Sequence, residues 1–180
     1  MPRSKEGIAM PAIKFETIWQ NYPKSDPCID PKTGKPPKGY PNQCAMRVGY
    51  ALAKSGVCFD SFKGSRCPKS ERSSGLVAGA QDLANWLGPN RFEGCPKGET
   101  YTGKTVFEKI KGRTGVIFLA NYWQREGETG NTRTGDHIDL WNGSRMTAFS
   151  SWFRVHLGIS WDGLWSDFER ASKAIFWHVL

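Results

Sequence analysis

Apolar residues in the first two thirds of the chain recur at the three- and four-residue spacing of amphipathic helices. This spacing predicts helices over residues 11–22, 44–55, 74–87 and 104–111. A proline or glycine follows each pattern and ends it. Residues 23–41, between the first two helices, are rich in Pro, Gly and Lys and are predicted to form a loop.

The period of the apolar pattern then changes from that of helices to that of strands. GVIFLANYW, residues 115–123, is an apolar, β-rich run and predicts a buried strand. HIDLWN, residues 137–142, alternates, and the Asn142-Gly143 step after it is typical of a hairpin turn. A partner strand is predicted over residues 144–153, and a last strand over residues 174–180.

Helices followed by strands indicate an α+β fold, with N-terminal helices packed on an antiparallel β-sheet. One further helix is predicted over residues 164–171, before the last strand. The 180 residues suffice for one full core, and no repeat or linker divides them, so we predict a single domain over residues 1–180. No apolar run has the length of a membrane span, and the N-terminus lacks the apolar core of a signal peptide. We therefore expect neither a membrane span nor an ordinary export signal.

The charge balance favours an anionic partner. The chain carries 25 Lys and Arg against 17 Asp and Glu, which gives a formal net charge of +8. Nucleic acid, a phosphorylated surface or an acidic polymer would each suit this charge. The basic residues are scattered, without a basic helix or an aromatic RNA-binding signature, so a nucleic-acid-binding module is an alternative hypothesis that we rank lower.

The five cysteines do not form a metal-binding or CxxC redox pattern, and we expect no metal and no cofactor. If Cys44 is a free thiol, the remaining four cysteines are enough for two disulfides. Cys58 and Cys67 are close in sequence and form the first predicted pair, which leaves Cys28 with Cys95 for the second. Disulfides persist in an oxidising compartment. Without an export signal, either the thiols are reduced or the protein reaches such a compartment by another route.

The stretch NQCAMRVGYALAKSG, residues 42–56, places Cys44 on the first turn of a predicted helix. Such a position stabilises a thiolate, although a buried Cys is also common there as a small apolar residue. With the Cys44 N–H, the preceding polar residues Tyr40, Asn42 and Gln43 are candidate oxyanion donors. Asn42 is alternatively a helix cap. Arg47 either favours the thiolate, binds a substrate carboxylate or is a solvated helix residue.

A thiolate nucleophile needs a base, and the chain has three histidines. His178 lies in the apolar last strand, where a structural role is expected, and His156 receives no role. His137 opens a strand after a polar loop and is the candidate base. Asp139 lies two positions later, so in a strand it shares the face of His137 and is a candidate to orient the imidazole.

Together, NQCAMRVGYAL and GDHIDLWNGSRMT resemble the type VI secretion amidase effectors, specifically their fourth family, which are papain-like (NlpC-like) cysteine peptidases of peptidoglycan. The resemblance covers both motifs and the order of most elements. It implies Cys44 as the nucleophile and His137 as the base. The family pattern expects an aspartate on the strand after the histidine strand, but residues 144–153 contain no Asp, Asn or His. Asp139 is therefore the candidate for the third role.

The resemblance also implies a substrate, a route and a partner. The substrate is the peptidoglycan stem peptide, cut between γ-D-glutamate and meso-diaminopimelate. The type VI secretion apparatus would carry the protein into the periplasm of a rival cell, which reconciles disulfides with the lack of an export signal. A cognate periplasmic immunity protein would protect the producer. An own-cell wall-remodelling peptidase is the alternative that shares the same fold.

Overall fold

The computed structural model describes residues 12–88, 92–125, 127–129, 132–147 and 168–180. These residues form four α-helices, four strands and a short 3₁₀ turn over Arg72–Ser74. The helices are α1 (Phe15–Gln20), α2 (Cys44–Lys54), α3 (Ala80–Leu87) and α4 (Gly103–Ile110); the strands are β1 (Glu99–Tyr101), β2 (Gly115–Trp123), β3 (Gly135–Trp141) and β4 (Lys173–His178). The predictions of α2, α4, β2, β3 and β4 are confirmed, with small shifts at their ends.

The third predicted helix begins later than expected, at Ala80. Gly75 and Gly79 have φ angles of 68° and 84°, which lie outside the right-handed helical region. Between these glycines the backbone is extended and pairs with the preceding loop, where the Cys67 N–H donates to the Leu76 carbonyl at 2.8 Å. The apolar residues predicted to form the first turns of the helix therefore form a bridge instead.

Three other expectations change or lie outside the described residues. Helix α1 is shorter than the predicted 11–22, and β1 was not predicted. Of the predicted strand over 144–153, the described part contributes a single bridge between Trp141 and Met146. Its remainder, His156 and the first half of the helix predicted over residues 164–171 lie outside the described residues.

The four strands form one sheet in the order β1-β4-β2-β3, and every neighbouring pair is antiparallel. The α+β prediction is therefore confirmed. Strand β2 is buried along most of its length because both of its faces are covered. Val116, Phe118 and Ala120 pack with the core formed by α1, α2 and α3, whereas Ile117 and Leu119 pack with the core around α4. This explains why β2 is a continuous apolar run.

Strand β3 is at one edge of the sheet and lies against α2. The turn predicted after it is confirmed, because the Asn142 side chain accepts hydrogen bonds from the backbone N–H groups of Ser144 and Arg145. The chain then returns along the outer edge of β3, where the Thr147 N–H donates to the Leu140 carbonyl at 3.2 Å. No helix among the described residues has the length and apolar character to cross a membrane.

Candidate active site

Cys44 is the first residue of α2 and is half-buried against the main core. Its position exposes it to the unpaired N–H groups and the positive end of the helix dipole, which favour a negative charge. The N-cap is Gln43, without a side-chain capping bond. Asn42 is exposed and does not cap the helix, so that alternative interpretation is wrong.

His137 lies on β3, opposite Leu119 of β2, and only 4% of its surface is exposed. Its ring packs edge-on against Tyr122, with centroids 6.0 Å apart, and parallel to Phe168 at 6.4 Å. These aromatic contacts restrict rotation of the imidazole. The ring is therefore held in one orientation against residues of the core around α4.

Cys44 and His137 are hydrogen-bonded to each other across the gap between α2 and β3. Burial raises the pKa of the Cys44 thiol, but the hydrogen bond and charge of His137 and the N–H of Ile138 lower it below its usual range. Burial likewise opposes the charging of His137, but its bonds to Asp139 and Cys44 raise the pKa of the imidazole to about 10. Both shifts favour a thiolate–imidazolium pair at neutral pH.

The Asp139 side chain is completely buried beside this pair. Its Oδ2 lies 3.6 Å from His137 Nε2. Its Oδ1 accepts hydrogen bonds from the N–H of Leu140, at 2.8 Å, and from the hydroxyl of Thr147. A buried carboxylate requires such partners because it has lost its hydration. The arrangement places one oxygen toward the imidazole and anchors the other to the protein.

Gln43 and Arg47, both predicted to act at the site, are engaged with the loop that precedes α2. The buried Gln43 amide forms two hydrogen bonds with the backbone of Cys28: Oε1 accepts from its N–H at 2.8 Å, and Nε2 donates to its carbonyl at 2.7 Å. The guanidinium of Arg47 pairs with Asp26 at 2.7 Å. Tyr40 is half-buried and packs on the small cluster around Cys28.

The predicted disulfide pairing, Cys58 with Cys67 and Cys28 with Cys95, is wrong. The disulfide joins Cys28 to Cys67, with Cα atoms 5.9 Å apart. Because the Cys67 segment pairs with the backbone at Leu76, its side chain lies in the same buried cluster as Cys28. Cys58 is exposed and free, and Cys95 is a free core thiol whose pKa is raised by burial to about 12.

Two residues that sequence reasoning missed lie beside Asp139: Thr147, which bonds it, and Tyr22, whose buried hydroxyl is close to Thr147. Thr147 falls on the segment where the family pattern expects an acidic residue, and a search for Asp, Asn or His passes over it. Tyr22 is the last residue of the helix predicted over residues 11–22, where the apolar pattern gives it no catalytic role. Among the described residues, no group of His, Cys, Asp and Glu is arranged to hold a metal ion.

The family model described as type VI secretion system, amidase effector protein 4 (Tae4) matches residues 40–177. The structure of the Tae4/Tai4 effector–immunity system from Salmonella typhimurium, a selenomethionine variant, is similar over 94% of this chain and 100% of that chain, with a TM-score of 0.58 and 16% identity. That likeness shows a shared fold.

A second structure, Tae4 from Salmonella typhimurium in complex with the immunity protein Tai4 from Enterobacter cloacae, has a TM-score of 0.47 and 18% identity. It is similar over 77% of this chain and 75% of that chain. No curated protein matches the chain.

Proposed function

The chain belongs to the type VI secretion system amidase effector 4 family, whose model matches residues 40–177, and on that basis we propose that Cys44 is the nucleophile and His137 the general acid and base. The protein is an amidase effector that acts on peptidoglycan. The observation that carries the proposal is the hydrogen bond between Cys44 and His137, which lowers the pKa of the thiol and raises that of the imidazole.

The reaction begins from the thiolate–imidazolium pair. The Cys44 sulfur attacks the carbonyl carbon of the amide and forms a tetrahedral intermediate. The N–H of Cys44, at the positive end of α2, is proposed to stabilise the oxyanion. Because Nε2 of His137 faces Asp139, the other ring nitrogen, Nδ1, is the one that serves the sulfur.

The imidazolium of His137 then donates its proton to the leaving amine, and the C–N bond breaks to leave an acyl-enzyme. Neutral His137 next takes a proton from water, whose oxygen attacks the thioester and releases the acid and the thiolate. Asp139 holds the ring in one orientation and stabilises its charged form through both steps. Tyr40 and Asn42, next to the start of α2, are proposed to contact the substrate.

We propose that the bond cut is the amide between γ-D-glutamate and meso-diaminopimelate of the stem peptide, which makes the protein a DL-endopeptidase with one catalytic domain. The support is the resemblance of the cysteine and histidine motifs together with the family membership. A diaminopimelate amine is a poor leaving group until it is protonated, and a buried histidine of raised pKa supplies that proton.

The secretion apparatus is proposed to deliver the protein to the periplasm of the target cell, where a cognate immunity protein in the producer's own periplasm neutralises it. The support is that the similar Salmonella protein was solved as an effector–immunity system. Expression directed either to the periplasm or to the cytoplasm of a test bacterium separates the sites of action. Lysis from the cytoplasmic form alone would refute the proposal.

The catalytic assignment is tested with two cysteine variants and purified muropeptides, analysed by mass spectrometry of the fragments. Cys44→Ala is expected to release no product above background, whereas Cys58→Ala, which removes an exposed free thiol, should keep wild-type activity. The fragment masses identify the bond directly. Equal cleavage by Cys44→Ala and wild type, or fragments cut at another bond, would contradict the mechanism or the bond assignment respectively.

A further inference from the structure

Asp139 lies on the same strand as His137, and its buried carboxylate is held both by that strand and by a second segment of the chain. Its Oδ2 faces His137 Nε2 at 3.6 Å, so the position of Oδ1 decides where Oδ2 points. One bond to Oδ1 is local, from the N–H of the next residue, Leu140. The other comes from Thr147, eight positions later, and crosses to a different segment of the chain.

Thr147 is fixed by the edge of the sheet. The bridge between Trp141 and Met146 and the bond from the Thr147 N–H to the Leu140 carbonyl hold its backbone beside β3. Its side chain is half-buried, and its hydroxyl has one proton, which is donated to Asp139 Oδ1. The lone pairs of that hydroxyl can therefore accept a hydrogen bond from another donor.

Tyr22, two residues after the end of α1, brings such a donor. Its hydroxyl oxygen is shielded from solvent and has no hydrogen-bond partner among the described residues. It lies next to the Thr147 hydroxyl, although outside hydrogen-bond geometry, and the charged groups near it are Asp139, Arg47 and Cys44. Burial, and then the charge of Asp139, raise the pKa of Tyr22 well above its usual range, so the phenol keeps its proton.

We propose that Thr147 and Tyr22 are positioning residues that form a hydroxyl chain behind the acid, in which Tyr22 donates to Thr147 Oγ1 and Thr147 donates to Asp139 Oδ1. The chain holds Asp139 Oδ2 against His137 and so sustains the charged imidazole. The hydroxyl of Thr147 thus supports from a separate segment an acid that lies on the histidine strand. The inference rests on the proposed roles of Cys44, His137 and Asp139.

A buried phenol without a settled partner is destabilising, because the hydroxyl has lost its water. A residue kept at such a cost is typical of functional sites, where stability is given up for activity. Tyr22→Phe removes the hydroxyl and keeps the ring that packs on the core. It should therefore leave the thermal midpoint equal or higher while it weakens the site, a combination that a purely structural role does not produce.

The experiment measures the pH dependence of Cys44 alkylation by iodoacetamide, with the Cys44 peptide identified by mass spectrometry, in wild type, Thr147→Val, Thr147→Ser and Tyr22→Phe. This measurement needs no substrate, so its outcome is separate from the identity of the amide that is cut. Loss of the hydroxyl in Thr147→Val should move the high-pH transition, where His137 loses its proton, lower by about one pH unit. Thr147→Ser keeps the hydroxyl and should restore the wild-type profile.

Tyr22→Phe should produce a smaller shift in the same direction, and no further shift when combined with Thr147→Val, since it acts through Thr147. With muropeptides, kcat of Thr147→Val should fall on the order of tenfold while KM changes little. An unshifted profile in Thr147→Val overturns the proposal, as does a Tyr22→Phe effect that adds fully to that of Thr147→Val. If wild type cuts no peptidoglycan but these shifts occur, the proposed function fails and the positioning roles stand.

Discussion

Burial is the largest single influence on the pKa of Cys44 and of His137, but the two side chains and their neighbours together outweigh it. Cys44 and His137 are both in surroundings that disfavour charge, yet the pKa of the thiol is lowered and that of the imidazole is raised. The negative thiolate and the positive imidazolium attract each other, and this attraction is strong because the site has a low dielectric constant. In the proposed mechanism, the thiolate is therefore formed before substrate arrives, and the proton for the leaving group is already on His137.

The pH–rate profile should reflect this pair. The active form has Cys44 deprotonated and His137 protonated, so kcat/KM should fall as pH drops through the lowered pKa of the thiol. It should fall again as pH rises through about 10, where His137 loses its proton. Asp139→Asn should lower kcat about a hundredfold or more and move the upper limb to lower pH.

Asp136→Asn is the matched control for this measurement. Asp136 is close in sequence to Asp139, but its carboxylate is only partly buried and accepts the N–H of Asn121. The profile of this variant should coincide with that of wild type. A wild-type upper limb near pH 6.5, the ordinary value for histidine, would contradict the assigned state of the pair.

At the scale of elements, the sequence pattern predicted the helices and strands whose bounds are set by interactions between residues close in sequence. Helix α2 has strong apolar periodicity and strand β2 is a continuous apolar run, so both follow from the sequence with small shifts at their ends. The late start of α3 depends on Gly75, where an added Cβ would lie 2.1 Å from the backbone oxygen of Gly49 in α2. That close approach is a tertiary contact between a helix and a loop, and no periodic pattern in the sequence predicts it.

The candidate site shows the same difference between local features, which the sequence predicts, and tertiary contacts, which it does not. Cys44, His137 and Asp139 were predicted because a helix start and a two-residue strand spacing are local features. The Gln43 amide was interpreted as an oxyanion donor, but it binds the backbone of Cys28, fifteen positions earlier. Thr147 meets Asp139 only after the turn folds back along β3. Partners that depend on such chain crossings cannot be deduced from spacing.

The Cys28–Cys67 disulfide ties the loop before α2 to the loop before α3, and its removal is a test at this scale. It spans 39 residues, and the double variant Cys28→Ser/Cys67→Ser should lower the free energy of unfolding by about 2–4 kcal/mol, because the unfolded chain regains loop entropy. Urea unfolding measures the change. Cys58→Ser, at an exposed free thiol, should have the wild-type midpoint.

Reductant should shift the wild-type protein toward the double variant and leave the double variant unchanged. If reduction leaves the wild-type midpoint where it is, the cross-link does not contribute to stability as assigned. A second effect is expected at α2, since Gln43 joins the start of that helix to Cys28. Hydrogen exchange at the first turn of α2 should be faster in the double variant.

At the scale of the whole molecule, the sheet separates two cores, and the reactive residues lie along the edge strand β3 that borders both. At the outer edge of this strand, Cys44 contacts the backbone N–H of Ile138. The backbone N–H of Thr147 donates to the carbonyl of Leu140 at the same edge. Buried packing on either side keeps the proposed nucleophile, base and acid in fixed positions. We propose that the substrate approaches at the start of α2, where Cys44 is half-buried.

The net charge of +8 should assist this approach, because the stem peptides of the proposed substrate carry carboxylates. Salt screens such attraction over about 10 Å at ~0.1 M. Raising the salt concentration to ~0.5 M should therefore lower kcat/KM for muropeptides severalfold through KM, with kcat little changed. Alkylation of Cys44 by neutral iodoacetamide is the control and should vary much less with salt. A KM that is independent of salt would show that the positive charge does not act on substrate binding.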